Sequence, residues 1–505
     1  DKLKNKGVEA SKRDVREQGE LPPLKNAGDN VVMRFAPFPS GPLHIGNTRQ
    51  LILNDEYAKQ YNGKMLLVID DTIGSEQKPI AEDAYDLIKE GVKWLGVRYN
   101  KIFYKSDRLD IYYNYAEEMI KKGYMYVCSC SQEEMQKYRK KGVSCSCREF
   151  PPEKQLERWK KMFSGISKKG DFTVRLKTSM SDPNPAFRDR VMFRISERKH
   201  PRTGRKCKVW PLLEFSWAID DHLLGISHVI RGIDLIMETK VEEFIWDIFK
   251  WNHPTVIHTG HFAIQGLKLS KSKGAKEVES GEYIGWNDPR TWSLQSLRDR
   301  GFQPGAIREF VLNMGLTKSN STIAVDVLYS INKKYLEKMD IKKMMFVPEP
   351  VKIHISGSPE IEQNISYYSD RKTGRRFHTF QDFFIPRQDY DLMGNDNYRL
   401  INLMNFESHN VLKLKPRSFH FISQEPDRKL NIKNIQWLGA DSDNIKRNYN
   451  VVVRMPDNSV LKGFGEQNIE NLKKGDVVYF ERFGYCCLQH LSKKHKHAEF
   501  WFAHR

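Results

Sequence analysis

The chain contains no long run of apolar residues. Its mean hydropathy is −0.63, whereas a helix that crosses a bilayer needs about 20 mostly apolar residues in a row. The N-terminal segment, Asp1 to Glu20, is polar and charged, so we expect no secretory signal. Because the chain begins at Asp1 rather than at a methionine, we expect an upstream segment to be missing. The sequence therefore predicts a cytoplasmic protein that does not act at a membrane.

Cysteine is scarce, and acidic residues are outnumbered by basic ones. Seven cysteines in 505 residues suit a reducing compartment better than a disulfide framework. The 83 Lys and Arg residues outnumber the 64 Asp and Glu residues and leave a net charge of +19. Such a charge favours a polyanionic partner, since each contact with a nucleic-acid phosphate releases counterions, and a membrane surface is the competing polyanion. The chain is too long for one core, so we expect several domains.

A first motif joins an apolar run to a stiff turn and a helix. Val31–Phe35 predicts a buried strand, and the segment Pro39–Asn47, with the sequence PSGPLHIGN, follows it. His44 and Asn47 then lie at the start of a helix, where unpaired backbone amides and the helix dipole favour an anion. Gly46 allows a nucleotide to approach the backbone closely. An ordinary strand–turn–helix is the alternative interpretation.

A second motif, Lys268–Ser272 with the sequence KLSKS, lies far along the chain. Its lysines and serines form a basic loop that ends next to Gly274. Ammonium groups and hydroxyls can hold a triphosphate and neutralise the charge that develops on it. A solvated basic loop with no ligand is the alternative.

Together the two motifs resemble the signatures of class I aminoacyl-tRNA synthetases. Asn47 stands where the family has a second histidine, and Leu269 stands where it has a methionine. The further segments that resemble the glutamyl and glutaminyl enzymes are Ile69–Thr72, Asn184–Asp189, Gly285–Arg290, Gly475–Arg482 and Gly484–Tyr485. The likeness runs from Val31 to the C-terminus, and its pattern is similar to that of glutamyl-tRNA synthetases of archaeal and eukaryotic type.

This resemblance implies an α/β Rossmann-type catalytic domain with three additions: an inserted acceptor-binding domain, a helical stem-contact domain and C-terminal all-β anticodon-binding barrels. Short strands that alternate with Gly, Asn and Asp turns after Pro348 agree with the barrels. The expected division is a polar N-terminal tether at 1–30, the catalytic domain at 31–100 and 208–285, the insertion at 101–207, the helical domain at 286–345 and the barrels at 346–505.

The resemblance also implies an amino-acid pocket built from Arg34, Asp70 and Arg231. Charge supports this set, because glutamate has one ammonium for Asp70 and two carboxylates for the arginines. Glutaminyl enzymes have a small uncharged residue where Arg231 stands, so Arg231 favours glutamate over glutamine. A structural salt bridge is the alternative role for Arg231. Leu213 replaces the family's usual tyrosine and cannot donate a hydrogen bond to substrate.

The implied reaction needs no protein nucleophile. The glutamate carboxylate attacks the α-phosphorus of ATP, supplied with Mg²⁺, and a ribose hydroxyl of the tRNA then takes the glutamyl group. The chain contributes positioning and charge stabilisation, and we expect His44, Asn47 and Lys271 to be the catalytic residues. The expected ATP-binding set is Pro39, Gly41, His44, Gly46, Asn47, His261, Phe262, Lys268, Ser270, Lys271 and Ser272.

Four of the seven cysteines form two Cys-x-Cys pairs. Cys128 and Cys130 form the first pair, and Cys145 and Cys147 form the second. Four thiolates can hold a structural Zn²⁺ in tetrahedral geometry, and related enzymes can carry zinc in this inserted region. Free thiols are the alternative.

The expected partners are L-glutamate and tRNA-Glu, with tRNA-Gln left open as a second acceptor, and the resemblance implies a monomer. Two basic segments, 371–378 and 493–497, are candidate RNA contacts. Glutaminyl-tRNA synthetase, opposed by Arg231, is the nearest alternative. A catalytically silent tRNA-binding paralogue is favoured by Asn47 and Leu213. A generic nucleotidyltransferase shares the first motif but leaves the barrels unexplained.

Overall fold

The computed structural model describes residues 21–73, 79–267, 271–368, 373–409, 417–426 and 432–505. Five of the strands form one parallel sheet, which confirms the Rossmann-type fold. Their order from edge to edge is Lys101–Tyr104, Lys64–Ile69, Val32–Phe35, His228–Gly232 and Thr255–Thr259. The helices of this part are Ile45–Gln60, Ala84–Trp94, Leu213–Leu223 and Ile236–Phe249.

The order of the parallel strands creates a crevice at their carboxyl ends. The first strand of this sheet along the chain, Val32–Phe35, is the central one, and the next two strands lie on one side of it. The chain then returns to place His228–Gly232 and Thr255–Thr259 on the other side. In open α/β sheets ligands bind where the strand order reverses in this way, outside the carboxyl ends.

A second, antiparallel sheet of four strands lies between the two halves of the parallel sheet along the chain. Its strands are Met125–Cys128, Thr173–Leu176, Val191–Ile195 and Val209–Pro211. The helices associated with it are Leu109–Lys121, Gln132–Lys141 and Pro152–Met162.

The limits of this insertion differ from the expected 101–207. Lys101–Tyr104 pairs in the parallel sheet, and Val209–Pro211 pairs in the antiparallel one. Both strands are short and lie at a sheet edge, so each has one strand neighbour and carries too few residues for a periodic sequence signal.

Helices follow the catalytic sheet, as expected for the region after residue 286. Ile307, Phe310 and Val311 lie on one buried face and share a core with Leu51 and Ile52 of the helix Ile45–Gln60. The helices here are Lys271–Glu279, Leu294–Asp299, Pro304–Met314 and Val325–Glu337, with a small parallel pair of strands at Phe262–Ile264 and Ser321–Ile323. Leu24, in the segment expected to be a tether, is also buried in this core.

Among its described residues, the C-terminal region is β apart from the short helices Arg387–Leu392 and Ser442–Arg447 and the 3-10 helix Gln467–Asn471, which confirms the expected class. One seven-stranded sheet contains Lys342–Met344, Val477–Phe480, Gly484–Ser492, His497–His504, Tyr449–Arg454, Val460–Gly465 and Phe346–Pro348. The other contains Lys433–Ile435, Asn397–Leu400, Met404–His409, Ser418–Ser423, Pro350–Ser356, Asp382–Pro386 and Leu438–Gly439. A hairpin joins Ile361–Ser366 to Gly374–Thr379. Because Lys342–Met344 already pairs in the first sheet, this region begins before residue 346.

None of the helices in the described ranges is long and apolar enough to cross a membrane.

Candidate active site

The three residues expected to hold the amino acid lie at the carboxyl ends of three adjacent strands. Arg34 lies on the central strand, Arg231 on its neighbour His228–Gly232, and Asp70 directly after Lys64–Ile69. All three are buried, with 3 to 4% of their surface exposed. The structure therefore brings these sequence-predicted residues together in one buried polar cluster at the crevice, and this cluster is the candidate amino-acid pocket.

Each arginine of the pocket has its own buried carboxylate. The Nε and Nη2 atoms of Arg34 donate to the two oxygens of Asp221 at 2.5 and 2.8 Å. The Nη1 and Nη2 atoms of Arg231 donate to Glu242 at 2.8 and 2.7 Å. Burial alone would lower the pKa of Arg34, but the charge and hydrogen bonds of Asp221 raise it. Both guanidinium groups are thus fixed in orientation by buried carboxylates.

Asp70 and Asp71, which directly follow the strand Lys64–Ile69, have different roles. Asp71 accepts hydrogen bonds from the backbone and hydroxyl of Ser106 at 2.8 and 2.7 Å and from the Tyr85 hydroxyl at 3.1 Å. Asp70 accepts a weaker bond from the Thr72 hydroxyl at 3.2 Å. Asp71 is therefore a structural carboxylate, and Asp70 is the one that faces the pocket cations.

Two residues that the sequence did not indicate complete the pocket. Lys105 is fully buried, and its Nζ donates to the Ser216 hydroxyl at 2.7 Å and lies 3.4 Å from Asp70. The indole ring of Trp217 is also buried, and its Nε1 has no hydrogen-bond partner among the described residues. Trp217 lies four positions after Leu213 on the same helix, so the two share a helix face. Lys105 directly follows the apolar run Ile102-Phe103-Tyr104, a strand signal that could have found it.

The first signature forms the cap of the helix Ile45–Gln60. The His44 Nδ1 accepts a hydrogen bond from the Gly46 backbone at 3.0 Å. The Asn47 side-chain oxygen accepts one from the His44 backbone at 3.2 Å, which completes a reciprocal cap. Asn47 therefore has a local structural role, and its amide nitrogen is the atom suited to donate to a phosphate.

The turn before this helix is shaped by contacts with the later helical region. Gly41 has φ +150, and a Cβ there would lie 2.8 Å from the Trp286 ring, so this position requires glycine for packing alone. The Pro39 carbonyl accepts a hydrogen bond from the Ala81 backbone at 2.9 Å. These contacts explain the two residues structurally, and their expected contacts with ATP stay predictions.

The second signature falls mostly outside the described residues. Lys268 and Ser270 lie outside them, as do the side chains of Lys271 and Ser272, whose backbone begins the helix Lys271–Glu279. His261 is exposed, and its Nε2 lies 3.1 Å from Asp234, just beyond the strand that carries Arg231. Phe262 is half-buried, with its ring centre 6.0 Å from that of Phe310.

The four clustered cysteines converge as the spacing predicted. All four Sγ atoms lie within 4.8 Å of one another. The Cys128 and Cys145 sulfurs are 3.9 Å apart, and the Cys130 and Cys147 sulfurs are 4.0 Å apart. Zinc–sulfur bonds of about 2.3 Å in a tetrahedron place sulfurs about 3.8 Å apart, so the donor set fits zinc.

One candidate RNA contact proves to be structural. Arg375, expected in a basic loop, is buried, and its Nη2 donates to the buried Glu466 at 3.0 Å, which links the hairpin to the neighbouring sheet. Arg371 and Lys372 lie outside the described residues. Arg376 and His378 instead line a cleft of about 350 Å³. The amide, cationic and aromatic side chains of this cleft are Gln363, Asn364, Arg376, Phe377, His378, Asn444, Arg447, Asn448, Gln467 and Asn468.

The fold and the crevice define a class I nucleotidyl-transfer architecture, and the comparison with known families agrees. Residues 30–338 match the catalytic domain of tRNA synthetases class I (E and Q). Residues 434–489 match the anti-codon binding domain of the same group. The chain belongs to the class I tRNA synthetases of the E and Q group.

Its relatives are similar over most of their length. The glutamate–tRNA ligase of Pyrococcus furiosus is 40% identical over 486 residues, which cover 95% of this chain and 84% of the relative. That of Methanocaldococcus jannaschii is 39% identical over 486 residues, which cover 96% and 85%. A solved glutamate tRNA ligase from Elizabethkingia meningosepticum has a TM-score of 0.45 and 20% identity over 61% of this chain and 70% of its own.

Proposed function

We propose that this chain uses ATP to ligate L-glutamate to tRNA-Glu through a glutamyl-adenylate. The observation that carries the proposal is the buried Arg231 in the pocket beside Arg34 and Asp70. Glu242 holds the Nη1 and Nη2 atoms of Arg231, and the Nε atom, which has no hydrogen-bond partner among the described residues, can donate to a substrate carboxylate. An ionised carboxylate accepts such a hydrogen bond more strongly than the neutral amide of glutamine, so Arg231 favours glutamate. The names of the archaeal relatives point to the same amino acid.

In this proposal the pocket orients the amino acid for in-line attack. Asp70 pairs with the substrate ammonium, while Arg34 and Arg231 face its carboxylates. Because Asp221 and Glu242 hold both guanidinium groups in place, little reorganisation is needed when the substrate binds. The α-carboxylate is then presented towards the start of the helix Ile45–Gln60.

The nucleotide is assigned to that helix start and to the second signature. Backbone amides at the helix N-terminus, together with His44 and Asn47, would hold phosphate oxygens, and Lys271 would stabilise the charge that migrates to pyrophosphate. Lys268, Ser270 and Ser272 would support this loop, and Mg²⁺ would arrive with ATP and shield its phosphates. Pro39, Gly41 and Gly46 would shape the turn, with His261 and Phe262 at its outer edge.

The direct test is charging of purified tRNA-Glu and tRNA-Gln with labelled glutamate and labelled glutamine in parallel. We expect glutamate on tRNA-Glu, and glutamate on tRNA-Gln as well would add the second acceptor. Glutamine on tRNA-Gln alone would make the chain a glutaminyl enzyme. Tight tRNA binding without any charging would favour the catalytically silent paralogue. Leu213 and Asn47, which depart from the family pattern, are the residues that favour this alternative.

A structural Zn²⁺ is proposed at the four cysteines. Cys128 ends the strand Met125–Cys128, and Cys130 follows it by two residues. Cys145 caps the short 3-10 helix Ser146–Glu149, and Cys147 lies within that helix. The hydrogen bond between the Cys128 and Cys145 thiols lowers the pKa of Cys145 and raises the pKa of Cys128. A bound Zn²⁺ would stabilise the thiolate form of all four side chains. The metal would brace the inserted domain, away from the chemistry.

We also assign the cleft around Arg376 to an anticodon base. Amide groups and guanidinium can hydrogen-bond the edges of a splayed base, and Phe377 offers an aromatic face. This accounts for part of the net charge of +19. The inserted region is proposed to contact the acceptor end of the tRNA, the helical region its stem and the barrels its anticodon. The chain is also proposed to act as a monomer in the cytoplasm.

A further inference from the structure

Three cations surround one buried aromatic ring in the amino-acid pocket. The guanidinium carbons of Arg34 and Arg231 lie 5.0 and 5.5 Å from the centre of the Trp217 ring. The Lys105 ammonium lies 4.9 Å from the same ring centre. The sequence predicted the two arginines in this pocket but not the lysine.

The three cations differ in how far their charge is already neutralised. Arg34 contacts Asp221 through two hydrogen bonds, and Arg231 contacts Glu242 through two. Each of these pairs is buried and carries no net charge. They can orient a substrate, but they add no net positive charge to the pocket.

Lys105 is held more loosely than either arginine. Its shortest contact is with a neutral group, the Ser216 hydroxyl at 2.7 Å, and its distance to Asp70 is 3.4 Å. Burial lowers the pKa of Lys105, and the charges of Asp70 and Asp220 oppose this shift. An ammonium has three N–H donors, so Lys105 can take a further acceptor without giving up Ser216.

The register of the sheet places Lys105 beside Asp70. Ile69 pairs with Tyr104 in adjacent parallel strands, and Asp70 and Lys105 are the next residue on each. Their backbones therefore leave the sheet side by side at the end where ligands bind in this fold. This juxtaposition puts the lysine on the substrate's side of the sheet.

We propose that Lys105 is a specificity-determining residue of the glutamate pocket. When the substrate binds, the Lys105 ammonium leaves Asp70 and pairs with the side-chain carboxylate of the substrate. This inference rests on the proposed function. The substrate ammonium takes Asp70, and the freed Lys105 ammonium takes the carboxylate. One loose ion pair becomes two, and neither buried charge is left without a partner.

Charge balance supports the exchange. With the two arginine pairs neutral, the pocket without Lys105 would carry the negative charge of Asp70 and would meet a substrate with a net negative charge. With Lys105 the pocket is neutral, and the cost of binding an acid falls. Glutamine has no net charge and gains nothing from the lysine, so Lys105 increases the preference for glutamate over glutamine.

The test compares Lys105→Gln and Lys105→Met with the wild type and with the control Lys101→Gln. Gln keeps a hydrogen-bond donor for Ser216 but removes the charge, and Lys101 is an exposed lysine at the start of the strand Lys101–Tyr104 that Lys105 follows. The measurement is the KM for glutamate, the KM for ATP and the glutamate-over-glutamine ratio of kcat/KM in tRNA charging. We expect both Lys105 variants to raise the KM for glutamate about 10-fold to 100-fold and to lower the ratio similarly, with the KM for ATP unchanged.

A further variant, Ser216→Ala, loosens the lysine but keeps its charge. It should raise the KM for glutamate only a few-fold and retain the preference for glutamate, so it keeps the test open if the Lys105 variants fold poorly. Lys105 variants with wild-type KM and wild-type preference would overturn the inference while leaving the proposed function intact. No glutamate charging by the wild type would overturn the proposed function and the inference with it.

Discussion

Arg231 and Glu242 form a buried, two-pronged salt bridge between a central strand and the helix that follows it. Their nitrogen–oxygen distances are 2.8 and 2.7 Å, and Thr239 on the same helix adds a third contact to the Arg231 Nη2 at 2.5 Å. The Arg231 Nε has no partner among the described residues. The fold thus fixes the Nη1 and Nη2 atoms of the guanidinium, and the buried Nε–H remains available to a ligand.

This salt bridge predicts that variants of Arg231 and Glu242 change the stability of the fold and the preference for glutamate independently. Arg231→Gln or Glu242→Gln alone leaves a buried charge unpaired and should lower the free energy of unfolding by about 3 kcal/mol. The double variant has no unpaired charge and should recover most of that stability, yet its preference for glutamate should stay at least about tenfold below the wild type. Denaturant unfolding and charging assays measure the two effects. A double variant that regains glutamate charging would make Arg231 purely structural.

Lys271→Ala should abolish activation without affecting tRNA binding. A charge that develops on the leaving pyrophosphate loses its nearby ammonium, and removal of one such group costs about 100-fold or more in rate. Pyrophosphate exchange with tRNA present measures the first effect, and filter binding measures the second. Lys276→Ala, which changes an exposed lysine in the last turn of the same helix, is the matched control. Equal loss in both variants would refute the assignment.

The four-cysteine cluster should bind one zinc ion per chain. Cys147→Ser should lose the metal and lower the unfolding temperature of the inserted region, because metal-binding free energy contributes to folding. Cys207→Ser, a half-buried cysteine outside the cluster, should keep the metal. Metal analysis of protein purified without chelator gives the answer, and four freely titrating thiols in that protein would contradict the site.

His504 should make the protein less stable in mild acid. Burial lowers its pKa to about 4, while an unfolded histidine titrates near about 6.5. Between these values the unfolded chain binds the extra proton, so stability contributed by neutral His504 is present above pH 6.5 and lost as the pH falls, by up to about 3 kcal/mol. His504→Gln should be less stable at pH 7 but should lose less on acidification. Parallel pH dependence of the two unfolding temperatures would contradict this prediction.

The cleft between the hairpin and the C-terminal sheets should contribute to tRNA affinity. Arg376→Ala should raise the KM for tRNA about tenfold and leave the KM for glutamate unchanged, since the cleft is lined by C-terminal residues alone. Lys473→Ala, an exposed lysine outside the cleft, is the control. Unchanged charging of tRNA by Arg376→Ala would remove the cleft from the RNA interface.

The sequence identified the residues whose type alone carries chemistry. Arg34, Asp70 and Arg231 were identified through the resemblance to the synthetase family, and the charges of a glutamate substrate support the same set. The Cys-x-Cys pairs were found because thiols at that spacing converge readily. These signals are local, so they can be read before the chain is folded.

Other features were beyond local reading. Arg375 lies in a basic segment of the sequence. Only the packing of the hairpin against the neighbouring sheet shows that its guanidinium donates to Glu466 and is not available to RNA. The strand Lys101–Tyr104 was assigned to the insertion because four residues do not show which sheet they join.

What the sequence determined by itself was the family, the fold class and three charged residues of the crevice, Arg34, Asp70 and Arg231, since its motifs resemble those of the family. Tertiary structure alone decided which charges are neutralised. Asp221 and Glu242 reach the arginines from separate helices, and Lys105 reaches Asp70 across a strand pair. The net charge that a substrate meets depends on distances of a few ångströms between residues remote in sequence, and only the folded chain brings them to those distances.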